Sequence, residues 1–477
     1  MKQLRKNIRR IAAFLCALFL LLTAYGAYSI YTSGNRWFSS SLNTFARQKR
    51  SGVVAGSILD RNGVILARTV DGVRVYNDDL QVRSALVHVT GDRNGNIPKS
   101  MDRVLGAYLY GFNMSFLERL SCAVTGTPRK GDDVRLTVDS RLAAYAASLF
   151  PSGKAGAVVV MNYKTGEVLT EQSFPNFDPQ DASTASGLSA LKPFINRAID
   201  GLNAPGSTFK IVTAASALEN MPDYETRAFQ CTGILQLGNR TVTDAGTNLA
   251  ENKVTQHGQL VLRRAFQVSC NNTFAQIALE LGDQKLLKTA ESFGFNDNFL
   301  FRDLIVENSS YPTENRTEGE IAWTGAGQSA LLASPLHMCM AAAAVANNGV
   351  MMEPRMLLSA TAQNGSSRAE FSSRVYRRAL SAGNAAILKE YMRSVVTASG
   401  ATGTAAAISG VRVCGKTGSA EKDGQENTNA WFVGFLDEEA SPYALAVVVE
   451  NAGGGGSVAA PIARQIFQWL LQNGYGN

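Results

Sequence analysis

Residues 205–219 read PGSTFKIVTAASALE, a Pro-Gly break followed by a helical pattern that is apolar on nearly every side. Such a helix is buried, so we expect it in the core of a domain. Ser207 stands at its start, where free backbone N–H groups and the helix dipole favour a developing negative charge. Lys210 follows one turn later on the same face. The stretch therefore predicts an amine held against a hydroxyl group.

The amine of Lys210 can take a proton from Ser207 only when it is neutral. The pKa of the lysine would have to fall from roughly 10.4 towards 7, a differential interaction of about 4 to 5 kcal/mol. Burial and a second cation nearby both lower the pKa of a lysine. Taken alone, a Ser-x-x-Lys match is a weak signal, and an N-cap serine followed by a surface lysine is the favoured interpretation of an isolated one. Other segments must therefore decide between the two interpretations.

Two further motifs follow, Ser269-Cys270-Asn271 and Lys416-Thr417-Gly418-Ser419. The first precedes a helical pattern over residues 273–281, and by itself it is best interpreted as a capping cluster. The second follows a strand pattern over residues 411–414. A glycine in a strand lets another backbone approach, and an extended peptide could pair along such an edge. The hydroxyl groups of Thr417 and Ser419, together with Lys416, suit a terminal carboxylate.

In this order the three motifs match the S-x-x-K, S-x-N and K-T-G set of penicillin-recognising serine enzymes. The chain resembles a class B penicillin-binding protein, a membrane-anchored D,D-transpeptidase of bacterial peptidoglycan. Segments 196–198, 325–328, 430–435 and 456–461 also look like segments of class B transpeptidases. The resemblance covers residues 154–477 well and the part before them weakly.

The resemblance implies an acyl-transfer mechanism. Ser207 would attack the penultimate D-Ala carbonyl of a stem peptide, with Lys210 as the base. Ser269 would relay a proton to the leaving D-Ala, and Asn271 would hydrogen-bond the substrate amide or Lys210. An amine of a neighbouring stem peptide would then take the acyl group. β-Lactams, which mimic the donor, would acylate Ser207 stably.

The K-T-G segment would bind the other end of the donor. Lys416, Thr417 and Ser419 would hold its terminal carboxylate, and Gly418 would let its backbone approach. The backbone N–H groups of Ser207 and Ser419 would form the oxyanion hole, a contribution of about 3 to 4 kcal/mol per donor.

Alternatives to a transpeptidase remain open at this point. They are a D,D-carboxypeptidase or β-lactamase, in which water accepts the acyl group; a β-lactam sensor; and a scaffold whose catalysis is dispensable. Because no glycan-polymerising domain is evident, the resemblance implies a partner. That partner would be a polytopic glycan polymerase of the shape, elongation, division or sporulation family.

The positive charge of the chain is concentrated before an apolar segment. The net charge is +7, and five basic residues in the first ten positions account for most of it, so nothing indicates a nucleic-acid-binding protein. Residues 11–30 carry no charge and as a helix would cross about 30 Å. The charge bias predicts a cytoplasmic N-terminus and an exported remainder. A cleaved signal peptide fits these residues as well; the resemblance favours a retained single-pass anchor in the cell membrane.

Strand patterns lie at both ends of the region after residue 150, at 155–162, 167–173, 411–414, 430–435 and 443–450, and helical patterns lie between them. This distribution predicts an α+β fold with an antiparallel sheet. The resemblance makes it a serine β-lactamase/transpeptidase-like fold, with a five-stranded antiparallel sheet, helices on its faces and an all-helical subdomain.

We expect three parts of the chain. Residues 1–30 form a basic tail and a transmembrane signal-anchor. Residues 31–150 form a small, mostly β, non-catalytic pedestal of the dimerisation type, in which Asn62-Gly63 is the turn of a hairpin. Residues 151–477 form the penicillin-binding transpeptidase domain, and Pro151-Ser152-Gly153 marks the boundary.

Neither a nucleotide nor a metal is expected. Residues 410–417 satisfy the spacing of a P-loop, but a strand pattern occupies the supposed loop and a polar turn follows it. The three histidines, His88, His257 and His337, are scattered, and no Cys-x-x-Cys occurs. The sequence therefore predicts no metal and no cofactor, and most of the six cysteines are expected to be small buried apolar residues.

Overall fold

The computed structural model describes residues 2–39, 53–181, 183–314, 316–421 and 427–474. It begins with a single long helix, Lys2–Ser39. Within this helix, Gln3–Ser29 is long and apolar enough to cross a membrane. The uncharged segment 11–30 predicted from the sequence lies in this helix, which is compatible with a single-pass anchor.

A five-stranded antiparallel sheet, the central sheet, organises the second part of the chain. Its strands, in spatial order, are Val413–Ala420, Asn429–Leu436, Tyr443–Val449, Gly156–Asn162 and Val168–Phe174. Both faces of the sheet are covered, which explains why its strands read as continuous apolar runs. The predicted α+β fold with a five-stranded antiparallel sheet is confirmed.

Helices cover the central sheet on its two faces. Pro335–Ala346, in which every residue is buried, packs on one face. Ser140–Leu149 and Ala459–Asn473 pack together on the other face. Ser140–Leu149 falls within the predicted pedestal, but its buried side chains Leu142 and Ala146 pack in the apolar cluster on this second, outer face of the central sheet.

Five more helices form a cluster beside the sheet: Lys210–Asn220, Leu262–Val268, Asn271–Leu281, Asp283–Ser292 and Glu318–Gly325. Ala382–Thr397 packs between this cluster and the sheet. The helical cluster also carries two small antiparallel sheets that the sequence did not predict. One pairs Ala228–Cys231 with Gly258–Val261, and the other pairs Ile234–Leu237 with Arg240–Thr243.

The pedestal contains a six-stranded sheet with strands from two distant parts of the chain. Its order is Ser367–Glu370, Leu357–Thr361, Asp133–Leu136, Ile58–Leu59, Ile65–Val70 and Val73–Tyr76. The predicted Asn62-Gly63 turn joins the strands on either side of it, and Gly63 has a φ of +86°. Because two strands come from residues 357–370, a single cut at residue 151 does not separate the pedestal from the rest.

The pedestal is mixed rather than mostly β. Its short helices are Leu80–Ala85, Val87–Thr90, Met101–Val104, Gly106–Leu109 and Phe116–Thr125.

Two further strand pairs lie outside the two large sheets. They are Val53–Val54 with Arg129–Lys130, and Val350–Met352 with Val375–Arg378. The remaining helical turns are Ser183–Ser186, Ser189–Leu191, Arg197–Asp200, Gly206–Phe209, Leu249–Glu251 and Thr404–Ala406.

Candidate active site

Ser207 lies in a tight turn rather than in the first turn of an α-helix. The helical pattern predicted after Pro205-Gly206 is divided into a 3₁₀ turn, Gly206–Phe209, and the α-helix Lys210–Asn220. Gly206 adopts a φ of +56°, and a Cβ on Gly327 would come within 1.8 Å of its carbonyl oxygen. Glycine is therefore required both at position 206 in the turn and at position 327, which packs against it. In this turn Ser207 is half-buried, whereas Lys210 is fully buried.

The Lys210 amine contacts both of the first two motifs. Its Nζ lies 3.0 Å from the Oγ of Ser207. It also donates to the Oδ1 of Asn271 at 2.7 Å and to the carbonyl of Ser269 at 2.7 Å, and it lies 3.3 Å from the Oγ of Ser269. Ser269 presents both its carbonyl and its hydroxyl because it adopts a left-handed conformation, with a φ of +59°, between two helices.

Lys416 approaches the same serine from the central sheet. Its Nζ donates to the Oγ of Ser269 at 2.8 Å and lies 3.1 Å from the carbonyl of Thr417. The sequence predicted that the K-T-G segment follows a strand over residues 411–414, and this prediction is wrong. The segment lies inside the edge strand Val413–Ala420, which we name the lysine strand. The correction also removes the P-loop interpretation, because a P-loop is not a strand.

Burial lowers the pKa of both lysines. Desolvation brings the pKa of Lys210 to about 8. Desolvation also lowers the pKa of Lys416, and the positive charge of Lys210 lowers it further. The Lys210 amine beside Ser207 can therefore lose its proton near neutral pH, which is the condition set above for it to accept a proton from Ser207.

The lysine strand and the Ser207 turn are in close contact. A Cβ on Gly418 would lie 3.0 Å from the carbonyl oxygen of Pro205, and a Cβ on Gly206 would lie 3.1 Å from the carbonyl of Ser419. Between them is a cleft of about 420 Å³. The predicted site residues that line it are Ser207, Ser269, Asn271, Thr417, Gly418 and Ser419, while Lys210 and Lys416 are buried behind it. The three motifs thus meet around one cleft.

Asp244 is a residue of this site that sequence reasoning missed. Its Oδ1 accepts hydrogen bonds from the backbone N–H groups of Asn271 and Asn272. The side chain of Asn271 donates to the carbonyl of Thr243 at 2.9 Å. These contacts fix the orientation of the amide that holds Lys210. An isolated aspartate after a short strand carries no sequence signal for this role.

The family model described as the penicillin-binding protein transpeptidase domain matches residues 156–468. This chain belongs to that family. The predicted class B enzyme, its serine-type D-Ala-D-Ala transpeptidase activity and its transpeptidase fold are confirmed.

Named relatives and solved structures agree with this assignment. The chain is 29% identical to peptidoglycan D,D-transpeptidase PbpA of Mycolicibacterium smegmatis, over 98% of this chain and 99% of the relative. It is 30% identical to PbpA of Mycobacterium tuberculosis, over 75% and 76% respectively. The imipenem acyl-enzyme of penicillin-binding protein A from M. tuberculosis superposes with a TM-score of 0.77 at 28% identity, over 89% of this chain and all 100% of that one.

Proposed function

We propose that Ser207 carries the transpeptidase reaction of this protein by forming an acyl-enzyme with the penultimate D-Ala of a stem peptide. The main support is the 3.0 Å contact between the Ser207 hydroxyl and the fully buried amine of Lys210. In the neutral form this amine accepts the hydroxyl proton while Oγ attacks the carbonyl carbon. The D-Ala–D-Ala amide bond then breaks, and its nitrogen needs a proton to leave.

Ser269 is the residue proposed to supply that proton. Its hydroxyl lies between the two lysine amines, 3.3 Å from Lys210 and 2.8 Å from Lys416. A proton taken from Ser207 can therefore pass through Ser269 to the leaving amine. In the second half of the reaction the steps reverse, since an acceptor amine gives its proton to the same base and attacks the ester.

The lysine strand is proposed to bind the donor peptide. It is an edge of the central sheet, and among the residues that the structure describes no strand pairs with its other side, which could therefore pair with an extended peptide. Thr417 and the exposed Ser419 line the cleft beside it. A terminal carboxylate bound there would also stabilise the protonated form of Lys416.

The anchoring and partner of the enzyme belong to the same proposal. The basic residues before the apolar part of Lys2–Ser39 support a cytoplasmic N-terminus and an extracytoplasmic catalytic part. Such an enzyme cross-links glycan strands that another protein makes. We expect that partner to be a polytopic glycan polymerase in the same membrane.

Turnover of a stem pentapeptide tests the proposal. The full chain in detergent receives a donor ending in D-Ala-D-Ala and a second stem peptide as acceptor, and mass spectrometry follows free D-Ala and the cross-linked product. Ser207→Ala should abolish both products. Ser216→Ala, a buried serine on the adjoining helix, should retain them. Hydrolysed donor without cross-linked product would instead indicate a carboxypeptidase, and rapid release of bound penicillin would indicate a β-lactamase.

A further inference from the structure

One helix of the pedestal turns its apolar side outward. Phe116–Thr125 has no buried residue, yet it carries four large apolar side chains at helical spacing. These are Phe116, Leu117, Leu120 and Val124, with exposed fractions of 77, 72, 46 and 78%. We name these four residues the apolar stripe. A helix of a globular protein normally packs such a face against the core, and a contiguous exposed one marks an interaction site.

The opposite, polar side of the helix faces the protein. Glu118 and Cys122, the only half-buried residues of this helix, lie about half a turn away from the apolar stripe. Glu118 pairs with Arg368 of the pedestal sheet and forms a capping box with Ser115. These contacts fix the helix with the apolar stripe outward, so the exposure of the stripe is a feature of the folded protein.

The helix lies on the part of the pedestal that is joined to the proposed anchor. The anchor helix, Lys2–Ser39, contacts Met101–Val104 and Gly106–Leu109, the two helices that precede Phe116–Thr125 along the chain. Residues 3–25 of the anchor helix are all exposed, so this contact lies towards its C-terminal end. That end leaves the membrane on the same side as the catalytic part.

The chain also re-enters the pedestal beside this helix. After the anchor helix, the next described strand is Val53–Val54, and it pairs with Arg129–Lys130. Arg129–Lys130 is in turn the first element after Phe116–Thr125. The helix therefore lies between two connections to the anchor, and the membrane is the surface to which these connections bring the apolar stripe.

We propose that the apolar stripe inserts into the outer leaflet of the membrane that holds the anchor. The helix would lie in the plane of the interface, with the stripe among the acyl chains and its polar side on the pedestal. A helix of ten residues binds a membrane weakly by itself, but the anchor supplies a high effective concentration of lipid, which makes a weak contact sufficient. The inference rests on the anchoring proposed above.

The charges around the apolar stripe suit a lipid surface with anionic headgroups. Arg119, Arg129 and Lys130 are exposed. Glu118, the only acidic residue of the helix, pairs with Arg368 on the protein side. Basic side chains beside an interfacial helix attract anionic lipids, so electrostatic attraction and burial of the stripe would act together.

Protein occupants fit the apolar stripe less well. A stable interface between two copies uses about 20 to 30 residues from each partner, whereas the stripe offers four residues on a single ten-residue helix. Residues 40–52, which lie outside the described part of the chain, include only three apolar residues, Leu42, Phe45 and Ala46. That segment is too polar to cover the stripe.

Quenching of a fluorophore by labelled lipids tests the proposal. Val124→Cys carries an environment-sensitive dye in the full chain, with the unburied Cys16 and Cys122 replaced by serine, in vesicles of phosphatidylethanolamine and phosphatidylglycerol. Nitroxide-labelled lipids should quench this dye, and its emission should shift to shorter wavelength. The same dye on Thr226→Cys, at an exposed turn of the catalytic part, should show neither change.

Two variants separate the apolar stripe from its surroundings. Phe116→Ser combined with Leu120→Ser should abolish quenching of the dye at position 124, whereas Val375→Ser, which removes an exposed apolar side chain elsewhere, should leave it unchanged. Both variants should be acylated by penicillin in detergent at the wild-type rate, since neither the helix nor Val375 lines the cleft. This readout shows that the variants are folded and keeps the surface distinct from the chemistry at Ser207.

Flotation of the vesicles separates failure of this surface from failure of the anchor. Protein that floats with the vesicles while the Val124→Cys dye stays unquenched would overturn insertion of the apolar stripe, and so would quenching that survives the paired serine substitutions. Disulfide-linked dimers of unlabelled Val124→Cys, together with no quenching, would identify a second copy as the occupant. A chain that does not float at all would contradict the anchor as well.

Discussion

Two buried lysines share one serine hydroxyl in this active site. Ser269 accepts a hydrogen bond from Lys416 and lies within reach of Lys210, and neither lysine contacts a carboxylate in the described residues. Two adjacent ammonium groups in a buried site repel each other, so the loss of one proton is favoured. The pKa of Lys416 falls further than that of Lys210, so a bound carboxylate, which favours protonated Lys416, would be needed to leave Lys210 as the neutral amine of the pair.

The acylation rate should therefore depend on pH. Protonated Lys210 has no lone pair to accept the Ser207 proton, so the rate of acylation by penicillin should rise as pH increases through about 8 and then level off. Lys210→Arg stays protonated and should react about 100-fold more slowly or worse, with a flat profile. Stopped-flow or gel-based labelling between pH 6 and 10 measures both. A wild-type rate that is constant or falls over this range would contradict Lys210 as the base.

Asn271→Asp should shift the same profile. A carboxylate in place of the amide oxygen, 2.7 Å from the Lys210 amine, favours the charged lysine and raises its pKa. We expect the midpoint of the acylation-rate profile to move up by about one pH unit or more. The variant should then be acylated slowly at pH 7 and at close to the wild-type rate at pH 10. An acylation rate that is reduced by the same factor at every pH would mean that Asn271 only supports the local structure.

At the scale of elements, the contact between the lysine strand and the Ser207 turn sets the width of the cleft. Gly418 allows this contact, since its Cα faces the carbonyl of Pro205 and the side chains of Thr208 and Trp431. These neighbours would lie 3.0 to 3.1 Å from an added Cβ. None of them moves freely, because Pro205 contributes backbone and Trp431 is fully buried.

Gly418→Ala should therefore displace the strand. We expect a loss of stability of about 1 to 3 kcal/mol, as for other additions to a packed interior, and a fall in acylation rate of about 10-fold or more, since a small misplacement of reacting groups is costly. Gly187→Ala is the matched control, because an added Cβ there meets nothing within 4 Å. Equal acylation rates for the two variants would show that this contact does not set the geometry.

The helix Pro335–Ala346 contains a buried histidine that links stability to pH. His337 donates through Nε2 to the carbonyl of Phe293 at 2.8 Å, and its ring packs against Phe295 and Phe299. Burial lowers the pKa of His337 to about 4. The unfolded chain takes up a proton near pH 6.5 while the folded chain does not, so this residue destabilises the protein as pH falls from about 6.5 towards 4.

His337→Gln isolates this effect. The variant keeps a donor but cannot titrate, so it should be less stable than the wild type at pH 7.5, and the difference should shrink by about 2 kcal/mol at pH 5. Urea unfolding at the two pH values measures it. A difference that stays the same or grows on acidification would show that the histidine is charged in the folded protein.

Element prediction from the sequence succeeded where apolar runs are bounded by turns. Asn429–Leu436 and Tyr443–Val449 were placed within one residue of their observed ends. The lysine strand was cut short because Gly415 and Gly418 interrupt its apolar pattern. Those glycines serve tertiary contacts, with the Phe432 ring and the Ser207 turn, and such contacts have no local signature.

At the scale of the whole molecule, the three motifs predicted the residues that meet around the cleft, but the pedestal was not predictable in the same way. Its sheet takes the strands Leu357–Thr361 and Ser367–Glu370 from a distant part of the chain. Pairing between such distant segments depends on the whole fold, and local patterns do not reveal it. Asp244, which orients Asn271, was missed for the same reason.

Residues 151–477 alone should therefore be less stable than residues 53–477. Without Asp133–Leu136, the strand Leu357–Thr361 keeps Ser367–Glu370 but loses its other partner, and that side becomes an exposed edge. The outer face of the central sheet would also lose Ser140–Leu149. We expect the shorter protein to aggregate or to melt several degrees lower. Equal melting temperatures by calorimetry would show that the predicted cut at residue 151 gives an independent domain.

The identity of the acylated residue tests the central claim most directly. The full chain is reacted with penicillin, digested and mapped by tandem mass spectrometry. Convergence of the three motifs on one hydroxyl predicts a single penicilloyl adduct, on Ser207, that Ser207→Ala removes completely. An adduct on Ser269 or on any other serine, or none on the wild type, would contradict the account.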